Sequence, residues 1–482
     1  MIAFQPIFFT SGLFLISLAV GMIVPGLVDF FHHDINWQAF ALSSGITLFV
    51  GLLLVLANRS KKIQNLTVRD TFLLTAINWL TISVFAALPF IFTYSTPSLT
   101  DSFFEAISGL TTTGATAIVR LDYASHGIIL WRSLLQWLGG IGIVLMALTI
   151  LPLLRIGGMQ LFRSEFSDRS EKILPKVSQI ASAIFGTYIF LTFACTLALW
   201  WAGMAFFDAF CHALSTVSTG GFSTSEASIE YFDDPYIEII LIIFMIMGAI
   251  TLTLFVRCIQ GDAKTLFTDS QVRTLFKILI IASLAITFWL WQDGHEFVHA
   301  LRHSIFNVTS VLTTTGFNSQ DYSLWGNFPI MIMLALSMIG GCTGSTAGGI
   351  KVFRFQVMYA TVKTQILQLR RPHGVFIPMY NGKPIPEGIF LSVFTFFALF
   401  VTCLGILSLS LSLFELDLLT CLFASLSVLN NMGTGFGDIL GETGSYAALP
   451  TGAKWLLMLG MLVGRLEYIT ILILFSPKFW RD

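Results

Sequence analysis

The stretch ISGLTTTGA, residues 107–115, returns three times in altered form: LSTVSTGGF at 214–222, TSVLTTTGF at 309–317 and LSVLNNMGT at 426–434. Each copy has a serine six residues ahead of a glycine: Ser108 and Gly114, Ser215 and Gly221, Ser310 and Gly316, Ser427 and Gly433. The copies recur at intervals of roughly a hundred residues, and a period of that kind marks a repeated supersecondary unit. Just upstream of each lies a short apolar segment, at 101–110, 208–217, 297–312 and 417–429. A bilayer crossing takes about 20 residues, so these segments have the size of re-entrant half-helices. Three open on a carboxylate, Asp101, Asp208 and Asp417, which suits the positive end of a helix dipole. The negative ends would then converge on one axis, where they favour a cation.

Outward from the loops the chain is a membrane protein. Its 482 residues are 55% hydrophobic and 11% charged, with a mean hydropathy of +0.81, whereas a soluble domain carries about 25% charged residues. Apolar runs fall at 7–28, 40–57, 71–92, 128–154, 177–205, 236–256, 276–291, 329–350, 389–414 and 455–475. The expected fold is all-α and integral to the membrane. It has ten transmembrane helices, with four pseudo-repeats of helix, pore half-helix, filter loop and helix around one pore, plus two leading helices. The corresponding segments are 1–60 for the leading pair, then 61–165, 166–262, 263–372 and 373–482 for the repeats. No Lys or Arg precedes Arg59, so the first run lacks the basic flank of a secretory signal.

All but five of the 26 basic residues fall in 58–70, 155–176, 257–277, 351–383 and the tail. The exceptions are Arg120, Arg132, Arg302, Lys454 and Arg465. Glu226, Glu230, Asp233, Asp234, Asp438 and Glu442 lie in the opposite loops. Positive charge stays on the cytoplasmic side, which puts both termini there and requires an even number of spans. The net charge of −1 gives no sign of a nucleic-acid partner. The six cysteines have no CxxC spacing, so packing is expected of them rather than a disulfide framework or metal cluster.

Non-helical backbone at membrane depth must be buried in protein or line a watery path. Carbonyls and hydroxyls from four Thr-Thr-Thr-Gly-like loops suit the second role, replacing the hydration shell of a cation while glycine turns carbonyls inward. No Asp or Glu stands in the loops. Potassium channels use four identical TVGYG loops. Four unlike loops sharing a single glycine imply fewer coordination layers and weaker discrimination against sodium. A plain polar turn would explain one such loop, but not four in phase.

With these loops, the helix–half-helix–helix order and the two leading spans, the chain resembles the Trk/Ktr/HKT superfamily of potassium transporters. Its ten-span length is most like the bacterial TrkH/TrkG type of membrane subunit. The resemblance implies potassium uptake and filter positions Thr111, Thr112, Thr113 and Gly114; Ser218, Thr219, Gly220 and Gly221; Thr313, Thr314, Thr315 and Gly316; and Asn430, Asn431, Met432 and Gly433. It implies potassium as substrate with no covalently bound cofactor, and leaves passive flow and coupling to sodium or protons open. It further implies a homodimer in the bacterial cytoplasmic (inner) membrane, regulated by a cytosolic nucleotide-binding subunit of TrkA type.

The run at 329–350 contains GGCTGSTAGG, with glycine at Gly340, Gly341, Gly344, Gly348 and Gly349 around Ser345 and Thr346. Each interior glycine costs a helix about 1 kcal/mol, so the helix should break there. Small residues also permit close helix packing; the missing GK[ST] and strand argue against a phosphate loop. The resemblance implies an intramembrane loop below the filter that moves to let ions pass. Arg465 falls inside the last run, where an arginine costs at least about 2.5–3.5 kcal/mol. It is expected to contact that loop and raise the barrier to cations; the alternative is a salt bridge with Glu467.

His295-Glu296-x-x-His299, followed by His303, matches the HExxH zinc pattern. An intramembrane metalloprotease is therefore the competing function. Such a protease gives no reason for four repeated loops, and no downstream carboxylate motif follows.

Overall fold

The computed structural model describes residues 4–59, 67–93, 95–96, 98–149, 177–435 and 445–481. Lys61, Lys62, Asp438, Glu442 and the basic segment 155–176 lie outside the described residues. Seven helices are long and apolar enough to cross a bilayer: Phe4–Phe31, Trp37–Ala57, Arg69–Phe92, His126–Met146, Gln179–Trp201, Ser270–Gln292 and Gly388–Ser412. Two bent pairs, Pro235–Ala249 with Leu252–Ile259 (97°) and Thr451–Arg465 with Ile469–Phe475 (110°), raise the number to nine if each counts as one span.

The apolar runs and the helices differ where backbone chemistry interrupts hydropathy. The run at 329–350 supplies only Asn327–Ile339 as helix, and helix resumes at Val352–Arg370. Between them Gly340, Gly344 and Gly349 have φ of 75°, 76° and 72°, left-handed values that an α-helix cannot contain. The run at 236–256 breaks where Ile250 and Thr251 turn extended. The short seventh run starts earlier than its hydropathy, at Ser270, because the Asp269 carboxylate accepts the amides of Gln271 and Val272 at 2.8 and 3.1 Å.

Four half-helices, Leu99–Leu110, Phe206–Val217, Phe297–Leu312 and Leu418–Asn430, end at the four repeated loops. Their C-terminal turns are buried on all sides, which is why they carry no lipid-facing stripe. Two open on side-chain caps: Ser98 accepts from Asp101 N, and Asp417 from Thr420 N. The two leading helices cross closely where Gly12 meets Gly51; a Cβ on either would lie within 3.0 Å of the other's carbonyl oxygen.

Three of the five exceptional basic residues join the repeats to one another. Arg132 Nε bonds Glu105 Oε1 at 2.6 Å, both side chains buried, and Arg132 also donates to Ser223 O at 3.1 Å. Arg302 pairs with Glu238 at 2.8 Å, and Lys454 with Asp101 at 2.5 Å. Asp101, expected to serve the helix dipole, thus also anchors the last repeat to the first.

Removing one member of a buried pair strands the other charge, at about 3–5 kcal/mol. Arg132→Met should therefore lower the thermal unfolding midpoint of the purified protein sharply. Arg132→Met combined with Glu105→Gln should recover part of the loss, since no unpaired charge remains. A midpoint in the double variant as low as in the single one would count against this account.

Candidate functional site

The four loops have one backbone conformation. The second residue of each is left-handed: Thr112, Thr219, Thr314 and Asn431 have φ of 52°, 53°, 56° and 53°. The glycines follow at φ of 82°, 82°, 88° and 82° for Gly114, Gly221, Gly316 and Gly433. Four non-glycine residues in the same disfavoured region mean that the surroundings impose it. The anchor is the repeated serine. Its backbone carbonyl accepts from the third loop residue in every copy: Thr113 N to Ser108 O (2.9 Å), Gly220 N to Ser215 O (2.8 Å), Thr315 N to Ser310 O (2.8 Å) and Met432 N to Ser427 O (3.0 Å). With loop amides turned back onto the half-helix, the trans peptide plane directs the attached carbonyls beyond its C-terminal end.

The loops close on one another as a ring. A Cβ on Gly114 would lie 2.1 Å from Gly220 O, and one on Gly221 would lie 1.9 Å from Thr315 O. One on Gly316 would lie 2.2 Å from Met432 O, and one on Gly433 would lie 2.2 Å from Thr113 O. Each glycine thus makes room for the third-position carbonyl of the next loop, and the fourth hands back to the first. Only glycine combines the positive φ with that approach.

Most of the hydroxyls are occupied elsewhere. Thr111, Ser218 and Thr313 donate to Ile107 O, Leu214 O and Thr309 O at 2.7–2.8 Å, capping their own half-helices. Thr113 and Thr315 hydroxyls lie 2.7 and 2.8 Å from those of Thr111 and Thr313. In the second loop the third residue is Gly220, and Gln136 stands where a side chain would be. Its Nε2 donates to Gly220 O at 2.7 Å and its Oε1 accepts from Phe222 N at 3.1 Å. Gln136 and the Arg132–Glu105 pair were missed from the sequence. The available signal was a polar residue inside an apolar run, which at membrane depth points to function or a partner.

A cavity of about 250 Å³ opens above the ring, with all four ring glycines and Glu226, Glu230 and Asp321 in its lining. Partial burial, then the neighbouring Asp321 and Asp233, raise the Glu230 carboxyl above its ordinary value.

Below the ring lies the glycine-rich loop. Thr346 Oγ1 donates to Val217 O and Gly248 O at 3.0 Å each, and Gly348 N donates to Thr314 Oγ1 at 2.6 Å. Gly349 N donates to Asn430 O at 3.0 Å, and Ser345 caps within the loop on Cys342 O. Gly341 and Gly348 are packing glycines: a Cβ would meet Ala347 at 2.7 Å and Asn430 O at 2.0 Å. The helix is thus broken, as its glycines predict, and two of those glycines also permit close packing of the loop.

Arg465 is buried and meets this loop: Nη1 donates to Thr346 O at 3.2 Å, and Nη2 lies 3.5 Å from Gly139 O. Its Nε has no partner among the described residues. The alternative pairing with Glu467 is not what forms, because Glu467 bonds Arg354 at 2.5 Å. The chain leaves the helix after Arg465 with Glu467 and Tyr468 at φ of 62° and 22°, which turns Glu467 towards Arg354. Lys351, at the loop's far end, is also buried and contacts Ala347 O.

The HExxH residues do not form a metal site. The helix begins at Phe297 with Glu296 as its extended N-cap, so His295 precedes the helix and does not share a face with His299. His303 Nδ1 lies 2.9 Å from the Ser319 hydroxyl. Among the described residues no group of three His, Cys, Asp or Glu could hold a metal ion. All six cysteines are free.

The family model described as "TrkH: Cation transport protein" matches residues 37–482. The Trk system potassium uptake protein TrkI of Halomonas elongata is 40% identical over 479 residues, 99% of this chain and 97% of its own. The Trk system potassium uptake protein TrkH of Escherichia coli K12 is 36% identical, covering 98% of each chain. The crystal structure of the potassium transporter TrkH from Vibrio parahaemolyticus superposes with a TM-score of 0.92 at 34% identity, over 100% of both chains.

The ring geometry separates two kinds of glycine. Alanine at Gly114, Gly221, Gly316 or Gly433 meets a carbonyl oxygen, and overpacking of this kind costs about 1–3 kcal/mol. Gly186 and Gly405 sit in spanning helices with nothing within 4 Å of an added Cβ. Unfolding midpoints should fall for alanine at each ring glycine and stay level or rise at Gly186 and Gly405. Equal effects in the two groups would contradict the close approach.

Proposed function

The chain belongs to the TrkH family of cation transport proteins, and from that premise we propose that it takes potassium into the bacterial cytoplasm through a single-chain, pseudo-fourfold filter. The observation that carries this reading is the closed ring in which each loop's glycine admits the next loop's carbonyl. Four half-helix C-termini add the negative ends of their dipoles to it. A potassium ion entering from the outer cavity exchanges water for carbonyl oxygens of Thr111–Gly114, Ser218–Gly221, Thr313–Gly316 and Asn430–Gly433. The hydroxyls of Thr111, Ser218 and Thr313 support the loops from behind, because they are bonded to their own half-helices.

The segment Gly340–Gly349 together with Arg465 forms the gate. Its contacts reach three loops, through Thr219, Thr314 and Asn430, and Arg465 of the fourth repeat links Thr346 O to Gly139 O of the first. A fixed guanidinium beneath the filter raises the electrostatic barrier to a cation. Counting Asn327–Ile339 with the loop that follows as one crossing, and each bent pair as another, gives ten spans in segments 1–60, 61–165, 166–262, 263–372 and 373–482. Both termini are then cytoplasmic. The subunit works as a homodimer in the inner membrane, controlled by a nucleotide-binding cytosolic subunit of TrkA type. Potassium is substrate rather than cofactor.

The protein alone, in liposomes with matched K⁺, Rb⁺ and Na⁺ gradients, should pass K⁺ and Rb⁺ faster than Na⁺. Gly114→Ser and Gly316→Ser should reduce that preference by roughly tenfold, the equivalent of about 1.4 kcal/mol. Equal flux of all three ions through the parent protein would remove the selective filter.

Arg465→Ala should raise potassium flux in the same liposomes, with selectivity kept. A folded variant whose flux matches the parent would reject Arg465 as a barrier.

A further inference from the structure

Three positions before each repeated serine stand Glu105, His212, Asn307 and Ala424. The first three are polar and wholly buried, each 0% exposed, a costly placement unless each is hydrogen-bonded. All three bond the same part of their own repeat, the chain two or three residues beyond its glycine. Glu105 Oε2 accepts from Ala117 N at 2.9 Å and lies 3.2 Å from the Thr116 hydroxyl. His212 Nε2 lies 3.0 Å from the Ser223 hydroxyl, while its Nδ1 is fixed 2.8 Å from Asp208 O. Asn307 accepts from Ser319 N at 3.3 Å and donates to the Ser319 hydroxyl at 3.2 Å.

A carboxylate, an imidazole and a carboxamide are chemically unlike, yet they occupy one register and reach one target. A buried polar side chain satisfied only for its own sake would have no reason to find the same segment three times. The braces are themselves supported: Arg132 bonds both Glu105 and Ser223 O, and His303 holds Ser319. The fourth half-helix has Ala424, whose methyl group can form no such bond.

We propose that Glu105, His212 and Asn307 are positioning residues that set the height of the first three filter loops from behind, and thereby the discrimination between K⁺ and Na⁺. This rests on the filter reading above. Between the half-helix and the braced residues the chain consists of the loop alone, so tethering its outgoing end limits how far its carbonyls can close on a smaller ion.

The test is the K⁺-to-Na⁺ flux ratio of purified variants in liposomes, an internal ratio that a misfolded fraction lowers for neither ion selectively. His212→Leu and Asn307→Leu should each reduce the ratio, roughly fivefold to tenfold for a lost hydrogen bond. Ser223→Ala, a smaller change at the other end of the brace, should match His212→Leu and add nothing in the double variant. His212→Gln, whose amide can still reach Ser223, should stay close to the parent. An unchanged ratio in His212→Leu, Ser223→Ala and Asn307→Leu, with Gly316→Ser still shifting it, would overturn the braces and leave the filter. An unchanged ratio in Gly316→Ser as well would overturn both.

Discussion

The structure turns on four contacts between a glycine and a carbonyl oxygen. Gly114, Gly221, Gly316 and Gly433 each leave open the space into which Gly220 O, Thr315 O, Met432 O and Thr113 O project. A ring of this kind closes only if all four loops sit at one height and share one backbone path. Much else in the molecule follows from holding them there. The half-helices must end at one depth, so each is short and surrounded; the loop amides must be anchored, so each returns a bond to the serine carbonyl. The repeats must not slide past one another, and Arg132, Arg302 and Lys454 tie neighbouring repeats together.

The parts of this arrangement that local stereochemistry decides are legible in the sequence, and the parts that depend on a distant partner are not. Serine–glycine spacing, half-helix length and the break at Gly340 could all be read because local stereochemistry decides them. The same is true of Arg465, since an arginine inside an apolar run must find polar company, and it finds Thr346 O. The bend after Ala249 left no such trace: Ile250 and Thr251 are ordinary residues, turned extended by their place in the fold. Thr251 donates to Thr343 O at 2.7 Å, and Leu252 N to Gly344 O at 3.2 Å. The sixth span is therefore broken by the glycine-rich loop it supports, a partner roughly ninety residues further along the chain. The partner of Glu467 is equally hidden: Arg465 is near it in sequence, but the turn in the backbone carries Glu467 to Arg354.

The repeats are equivalent in backbone and unlike in chemistry. In the first and third loops, paired threonine hydroxyls fill the space behind the third residue. In the second, Gly220 has no side chain, and the Gln136 amide from a spanning helix takes the place. In the fourth, the Asn431 amide donates to Thr113 Oγ1 and Met461 O, both at 3.0 Å. One backbone path is thus held by three solutions. That freedom belongs to a single chain; a pore of four identical subunits must use one solution four times.

The unlike loops also give the gate something to hold. On the proposed reading, a plug beneath a strictly fourfold ring would meet four identical faces and gain nothing from any one orientation. Here Thr346 reaches the end of the second half-helix, Gly348 the Thr314 hydroxyl and Gly349 the Asn430 carbonyl. Each contact falls on a different repeat. The bond from Gly349 N engages a carbonyl at the inner end of the proposed filter, so on that reading an ion at that level competes with the closed loop for the same oxygen. If the loop is the gate proposed above, opening it involves more than moving Arg465 aside: the loop must release Asn430 O, which returns that oxygen to the filter. On the proposed reading gate and filter share the Asn430 oxygen, so closing the loop takes one ligand away from an ion at the fourth loop.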